Sequence, residues 1–181
     1  MTSDASKDRR ILWAKRSAVH YLGSYSSSEE NLRRTMLRRA ARKFDDLSEG
    51  EAEALAEEAV RFCRENGFLD DGTYAQGKAV SGQGKGHSRR RVRMALVAKG
   101  VDPETAAEAA AQVDDLKAAV TFARRRRFGP WRTGPDSREA RQKEAAAMGR
   151  AGFSGEIAFK VASMEMADAE EVLYAEAPPV S

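Results

Sequence analysis

The chain has 181 residues and a mass of 19.9 kDa, room for one ordinary domain or a few small units in series. Hydrophobic residues make up 41%, but 32 of them are alanines, so the core is thin and suits closely packed helices. The 31 Lys and Arg against 28 Asp and Glu leave a net charge of only +3. No apolar run approaches the roughly 20 residues that span a bilayer. The polar start, Met1 to Arg10, has no secretory core, and Cys63 stands alone, which excludes an internal disulfide. These features predict a soluble cytoplasmic protein with no membrane partner.

The sequence reads as helix after helix. Residues 1–8 are expected to be a flexible leader. From Arg9 to Leu22 a stripe of Ile11, Ala14, Ala18 and Leu22 predicts a first helix, stopped by Gly23. Ser27 and Glu30 are spaced for a capping box ahead of a second helix running to about Phe44, with Leu32, Met36, Leu37 and Ala40 inward and arginines outward. A third, from about Ser48 to Asn66, turns Leu55, Ala59, Phe62 and Cys63 inward and ends at Gly67.

The pattern then restarts. Asp70 and Asp71 open a short helix through Tyr74 and Ala79, which Gly82 to Gly86 should break into a flexible connector. His87 or Ser88 begins a basic helix with Val92 and Leu96 inward, closed by Gly100. Asp102-Pro103-Glu104 starts the next, an alanine-rich helix to about Val113. A third round begins at Asp114-Asp115, ends its first helix in Arg124–Arg127, loops through Gly129 to Gly134, and continues as Arg138–Arg150 and Ser154–Met164. From Glu165 the acidic chain, with Pro178 and Pro179, is expected to be a disordered tail.

These restarts are an internal repeat. Leu69-Asp70-Asp71 realigns with Val113-Asp114-Asp115, Val101-Asp102 with Phe153-Ser154, and Leu32 and Met36 with Val92 and Leu96. The fold expected is all-α, an elongated array of three tandem three-helix repeats over residues 9–67, 68–113 and 114–164.

Charge is segregated along these helices. Residues 31–44 hold six bases and no acid, residues 45–58 seven acids and no base, and Lys85 to Lys99 six further bases. Of the 31 basic residues 22 are arginine, whose planar fork suits phosphate or carboxylate. A polyanion or an acidic protein surface is the partner this layout implies.

No catalytic constellation, metal site or cofactor site emerges. His20 and His87 lack the spaced ligands of a zinc site, and Cys63 sits on an inward stripe as an inert thiol. Gly82-Gln-Gly-Lys-Gly86 lacks the hydroxyl residue and glycine spacing of a phosphate loop. Trp13, Trp131 and Tyr74 are isolated rather than arrayed for base stacking. No enzyme is expected.

Several residues in order resemble one family, the RecX regulators of the bacterial RecA recombinase. They are Tyr21-Leu22, then Ser26-Ser27-Ser28 with Asn31-Leu32-Arg33-Arg34, then Gly67-Phe68-Leu69-Asp70-Asp71 with Tyr74-Ala75. Arg90-Arg91-Val92, Leu96, Lys99-Gly100-Val101, the run Arg124 to Phe128, and Gly152-Phe153 follow. The serine-rich link and long basic second helix look most like the alphaproteobacterial branch. Departures are an extra stretch near Asp45 to Glu53, a link from Gly82 to Ser88 lacking the family's aromatic and proline, and a long loop at Pro130 to Pro135.

The resemblance implies a monomeric protein that binds RecA and its filament on single-stranded DNA. It would inhibit ATP hydrolysis, strand exchange and filament growth, and so modulate DNA repair and recombination. It implies partner-contact roles for Arg33, Arg34, Arg38, Arg89, Arg90, Arg91 and Arg93, and for Arg124, Arg125, Arg126 and Arg127. The alternative is a helix-turn-helix-like module acting directly on DNA. Side chains suited to base reading are scarce beside the arginines, so direct binding is expected to be weak and nonspecific.

Overall fold

A computed structural model describes residues 2–175. The elements, in order, are α1 (Thr2–Leu22), α2 (Glu29–Lys43), α3 (Glu49–Glu65), α4 (Asp71–Gly84) and α5 (Arg89–Ala98). They continue with α6 (Pro103–Ala111), α7 (Asp115–Arg126), a 3-10 turn (Gly129–Trp131), α8 (Arg138–Arg150), α9 (Gly155–Ala162) and α10 (Met166–Tyr174). The protein is all-helical: among the described residues there is no strand. No helix is long and apolar enough to cross a membrane.

The chain divides into two compact units. One comprises residues up to Ala75 together with Leu96–Thr105; the other comprises Gln76–Ala95 together with the chain from Ala106 on. In the first, α3 packs against both α1 and α2. Ala14 and Ala18 of α1, Leu32 and Met36 of α2, and Leu55, Ala59 and Cys63 of α3 form its core. Phe62 is only partly buried at the core's edge. The alanines let backbones approach closely, so a few large side chains suffice to fill the interior. In the second unit α9 packs against α7 and α8, burying Ala119, Val120 and Ala123 with Met148, Ala158 and Val161. Phe122 meets Phe128 and Phe153 edge-on, with centroids 6.2 and 5.7 Å apart.

A joint recurs in the two units. In the first, Ser28 caps α2 by accepting from Asn31 N–H, and its own hydroxyl donates to the carbonyl of Lys99 at 2.5 Å. The Asp71 carboxylate accepts from Glu29 N–H at 2.8 Å. In the second, the Ser88 hydroxyl accepts from Arg91 N–H and donates to the carbonyl of Ala151 at 2.8 Å. The Asp115 carboxylate accepts from Arg89 N–H at 2.7 Å. Each joint thereby supplies acceptors for N–H groups at a helix start and a donor for a carbonyl at a helix end, groups that the helices cannot satisfy themselves. Gly100 (φ +81) and Gly152 (φ +97) sit against these joints, where a Cβ would collide with Glu30 in one and the Ser88 hydroxyl in the other.

Several local expectations need correction. Helix α1 begins at Thr2 rather than Arg9, so residues 2–8 continue the helix. Ser28, not Ser27, caps α2; Ser27 is buried and accepts from the Asn31 side chain at 2.8 Å, while Glu30 turns to Arg33 and Arg34. Helix α4 carries on through Gly82 to Gly84. Gly82 is covered, with no room for a Cβ beside Val92. The connector after it is seated tightly: a Cβ on Gly86 would lie 2.7 Å from Phe122 N. The acidic segment after Glu165 folds as α10, with Ala169 buried and Lys117 bonded to the Ala175 carbonyl at 3.2 Å. Apolar Val172 and Leu173 give that helix an inward side despite its acids. Residues 176–181 of the expected tail lie outside the described residues.

Candidate interface of basic helices

The arginines expected to meet a partner fall into two environments. On α2, burial of Leu32, Met36 and Ala40 turns the intervening basic residues outward. Glu30, one turn earlier, grips two of them. Arg33 donates to it through Nε and Nη2 at 2.7 and 3.0 Å, and Arg34 through Nε at 2.7 Å. The Arg33 bond, more than that of Arg34, holds the Glu30 carboxyl below its usual range against the opposing effect of burial. Arg34 also reaches the Ala98 carbonyl at 3.3 Å. Arg38 is exposed and donates to Thr35 Oγ1 at 3.2 Å. Neighbouring Arg39 donates to the Ser17 carbonyl at 3.0 Å and lies over the Tyr21 ring. Much of the positive charge on α2 is therefore engaged within the unit.

Helix α5 differs. Arg89 is spent on the joint: beyond its backbone bond to Asp115, its Nε donates to the Val113 carbonyl at 2.5 Å. Arg90, Arg91 and Arg93 are exposed, and among the described residues none has an ion-pair partner. Each residue advances about 100° around a helix, so Arg90 and Arg93 lie about 60° apart on one flank, and exposed Met94 falls between Arg90 and Arg91.

The α7 run is also split in role. Arg125 Nη1 donates to the Lys85 carbonyl at 2.9 Å, pinning the α4–α5 connector onto α7. Arg126 lies over the Phe122 ring, 5.6 Å from its centroid. Arg124 and Arg127 are exposed, and Arg127 ends the helix in the left-handed conformation at φ 58.

Two residues outside the expected contact set belong beside these. Lys85 and His87 flank Gly86 in the connector, and His87 feels Arg91, Lys85 and Arg125 at once. Burial foremost, then those three positive charges, push the imidazole below its usual pKa. The available signal was the run Lys85-Gly86-His87, two bases immediately ahead of a basic helix. Cys63 is buried and its thiol is pushed up by that burial, which makes it a poor nucleophile. Among the described residues, no His, Cys, Asp and Glu side chains cluster in a way that could hold a metal ion.

The arrangement suits anion recognition: guanidinium groups held by their backbone, exposed, and free of internal carboxylates on α5. Comparison with known proteins bears on whose anion this is. The family model described as RecX, second three-helix domain, matches residues 70–109, which cover α4, α5 and most of α6. A regulatory protein RecX from Agrobacterium fabrum is 41% identical over 165 residues, 91% of this chain and 90% of its own. One from Myxococcus xanthus is 41% identical over 156 residues, 82% and 83% of the two chains. A third, from Pectobacterium atrosepticum, is 34% identical over 96 residues, half of this chain and 59% of that one. No solved structure gives a significant match. With identity of this level running through nearly the full length of two relatives, the chain belongs to the RecX family of regulatory proteins.

Proposed function

We propose that this protein binds RecA and the filament RecA forms on single-stranded DNA, and thereby restrains ATP hydrolysis, strand exchange and filament growth. It acts in the cytoplasm as a monomer, by occupancy rather than catalysis. The observation that carries this reading, within a RecX chain, is the flank of α5 on which Arg90 and Arg93 stand exposed without an internal carboxylate.

A guanidinium already paired must give up that bond before it can meet a partner, whereas an unpaired one brings its full charge. Arg90, Arg91 and Arg93 therefore lead the contact. Arg124 and Arg127 are next, and Arg38 follows. Arg33 and Arg34 join only by releasing Glu30. Arg89, Arg125 and Arg126 take part while also holding the protein's own structure. Met94, 62% exposed beside Arg90, adds apolar area of the kind a protein surface can cover. The three-helix repeats at 9–67, 68–113 and 114–164 would each bring one basic helix end to this task.

The test is phosphate release by RecA on single-stranded DNA with ATP. Added protein should suppress it, and Arg90→Glu with Arg93→Glu should relieve the suppression while leaving helical circular dichroism unchanged. Undiminished ATP turnover at an excess of the native protein would refute the proposal.

A further inference from the structure

The α4–α5 connector gathers positive charge around two of the arginines assigned above to the recombinase contact, Arg91 and Arg125. Its backbone is held at several points. His87 N–H donates to the Gly82 carbonyl at 2.9 Å, and Gln83 Oε1 accepts from Asp114 N–H at 2.6 Å. Gly86 lies against the Phe122 backbone, and Arg125 clamps the Lys85 carbonyl. This segment is a fixed platform, and it presents Lys85 and His87 beside Arg91 from α5 and Arg125 from α7. The charges acting on His87 come from all three elements around it, and all are positive: Arg91, Lys85 and Arg125. None of these four residues has an ion-pair partner among the described residues.

Like charges brought together without a counter-charge raise one another's energy, and an anion bound among them removes that cost. We propose that Lys85, His87, Arg91 and Arg125 form a binding site for the backbone phosphates of single-stranded nucleic acid. The choice of phosphate over an acidic protein surface rests on the composition of the cluster. Three permanent cations and an imidazole come together from three elements, and no carboxylate pairs with any of them among the described residues. A run of closely spaced phosphates supplies matching charge without needing apolar cover. Arg90 and Arg93 lie about 100° and 160° around α5 from Arg91, away from this cluster.

The imidazole makes the site responsive to acid. Burial and its cationic neighbours keep His87 neutral at pH 7 in the free protein; a bound phosphate favours the protonated ring and draws a proton in. Affinity accordingly rises as pH falls from 8 to below 6. The site shares Arg91 and Arg125 with the proposed recombinase contact, but its test uses no recombinase, so the two readings fail separately.

The experiment is fluorescence anisotropy of a labelled oligothymidylate titrated with the full chain at pH 5.8 and pH 8.0, over a series of salt concentrations. The native protein should bind weakly, more tightly at the lower pH by roughly three- to tenfold for one added charge. Arg91→Gln with Arg125→Gln should weaken binding by roughly tenfold and flatten the log–log salt slope by about 1.4, for two lost phosphate contacts. His87→Gln should leave binding at pH 8.0 intact and abolish the gain at pH 5.8. Arg90→Gln with Arg93→Gln should change binding far less than the Arg91 and Arg125 pair, with circular dichroism verifying the fold of each variant. Three results would overturn the proposal: no binding by the native protein, equal loss from the two arginine pairs, or equally effective competition by polyglutamate, which would reassign the site to acidic protein.

Discussion

The Ser88 hydroxyl donates to the carbonyl oxygen of Ala151 at 2.8 Å, across 63 residues of sequence. Ser88 is fully buried, and the same oxygen accepts the N–H of Arg91 at 3.3 Å, so one side chain both starts α5 and fastens it to the end of α8. Ser28 does the same for α2 and Lys99.

Removing either hydroxyl should therefore cost more than an ordinary helix cap. Ser28→Ala and Ser88→Ala each lose a cap and strand a carbonyl, together about 2 kcal/mol. Ser137 caps α8 through Ala140 N–H at 3.1 Å and, among the described residues, makes no such second bond, so Ser137→Ala should cost about 1 kcal/mol. Urea denaturation of the three variants checks the order; equal losses would show that the bonds to Lys99 and Ala151 contribute nothing.

Glycine at the joint is a steric as well as a backbone requirement. Gly67 (φ +72) has open space around its missing Cβ, so Gly67→Ala bears only the left-handed strain, about 1 kcal/mol. Gly100→Ala adds a collision with Glu30 and should lose at least about 2 kcal/mol more. Thermal melts of the two variants measure the difference.

A buried ion pair holds the long loop after α7. Arg132 donates to Glu144 through Nε and Nη2, both at 2.7 Å, and each side chain is only 10% exposed. Glu144 also accepts from Gly129 N–H at 2.8 Å. Glu144→Ala should cost about 3 kcal/mol because it leaves Arg132 buried with only the exposed Asp136 as counter-charge and strips Gly129 N–H of its acceptor. Replacing both, as Arg132→Met with Glu144→Leu, should cost less than the single change, and a comparison of denaturation midpoints decides it.

Asp136 sits outside this pair and is exposed. Its bond from Arg141, aided by Arg132, lowers its pKa to about 2. A carboxylate with a depressed folded-state pKa contributes stability that is complete above its unfolded value, near 3.8, and lost as pH falls through about 2. Carboxyl carbon chemical shifts should show that low midpoint, and Arg141→Gln should move it up toward the ordinary value.

Much of the fold was legible because it rests on local spacing. The stripe of Leu32, Met36 and Ala40 and the two restarts at aspartate pairs needed only local spacing. The serine fastenings were not legible, since the acceptors of Ser28 and Ser88 lie 71 and 63 residues away. Nor was α10, whose acids suggest a solvated tail until Ala169 is seen buried. The site was half visible. Sequence located the arginines, but which remain unpaired depends on where Glu30 and the Lys85 and Val113 carbonyls settle. Only Glu30, at helical spacing from Arg33 and Arg34, could have been anticipated.

The two fastenings use the same chemistry although Ser28 and Ser88 are 60 positions apart, Asp71 and Asp115 44, and Lys99 and Ala151 52. Segments between the fixed points have thus drifted in length while the couplings stayed interchangeable. Insertions or deletions between those points can therefore change the chain's length and leave both fastenings whole.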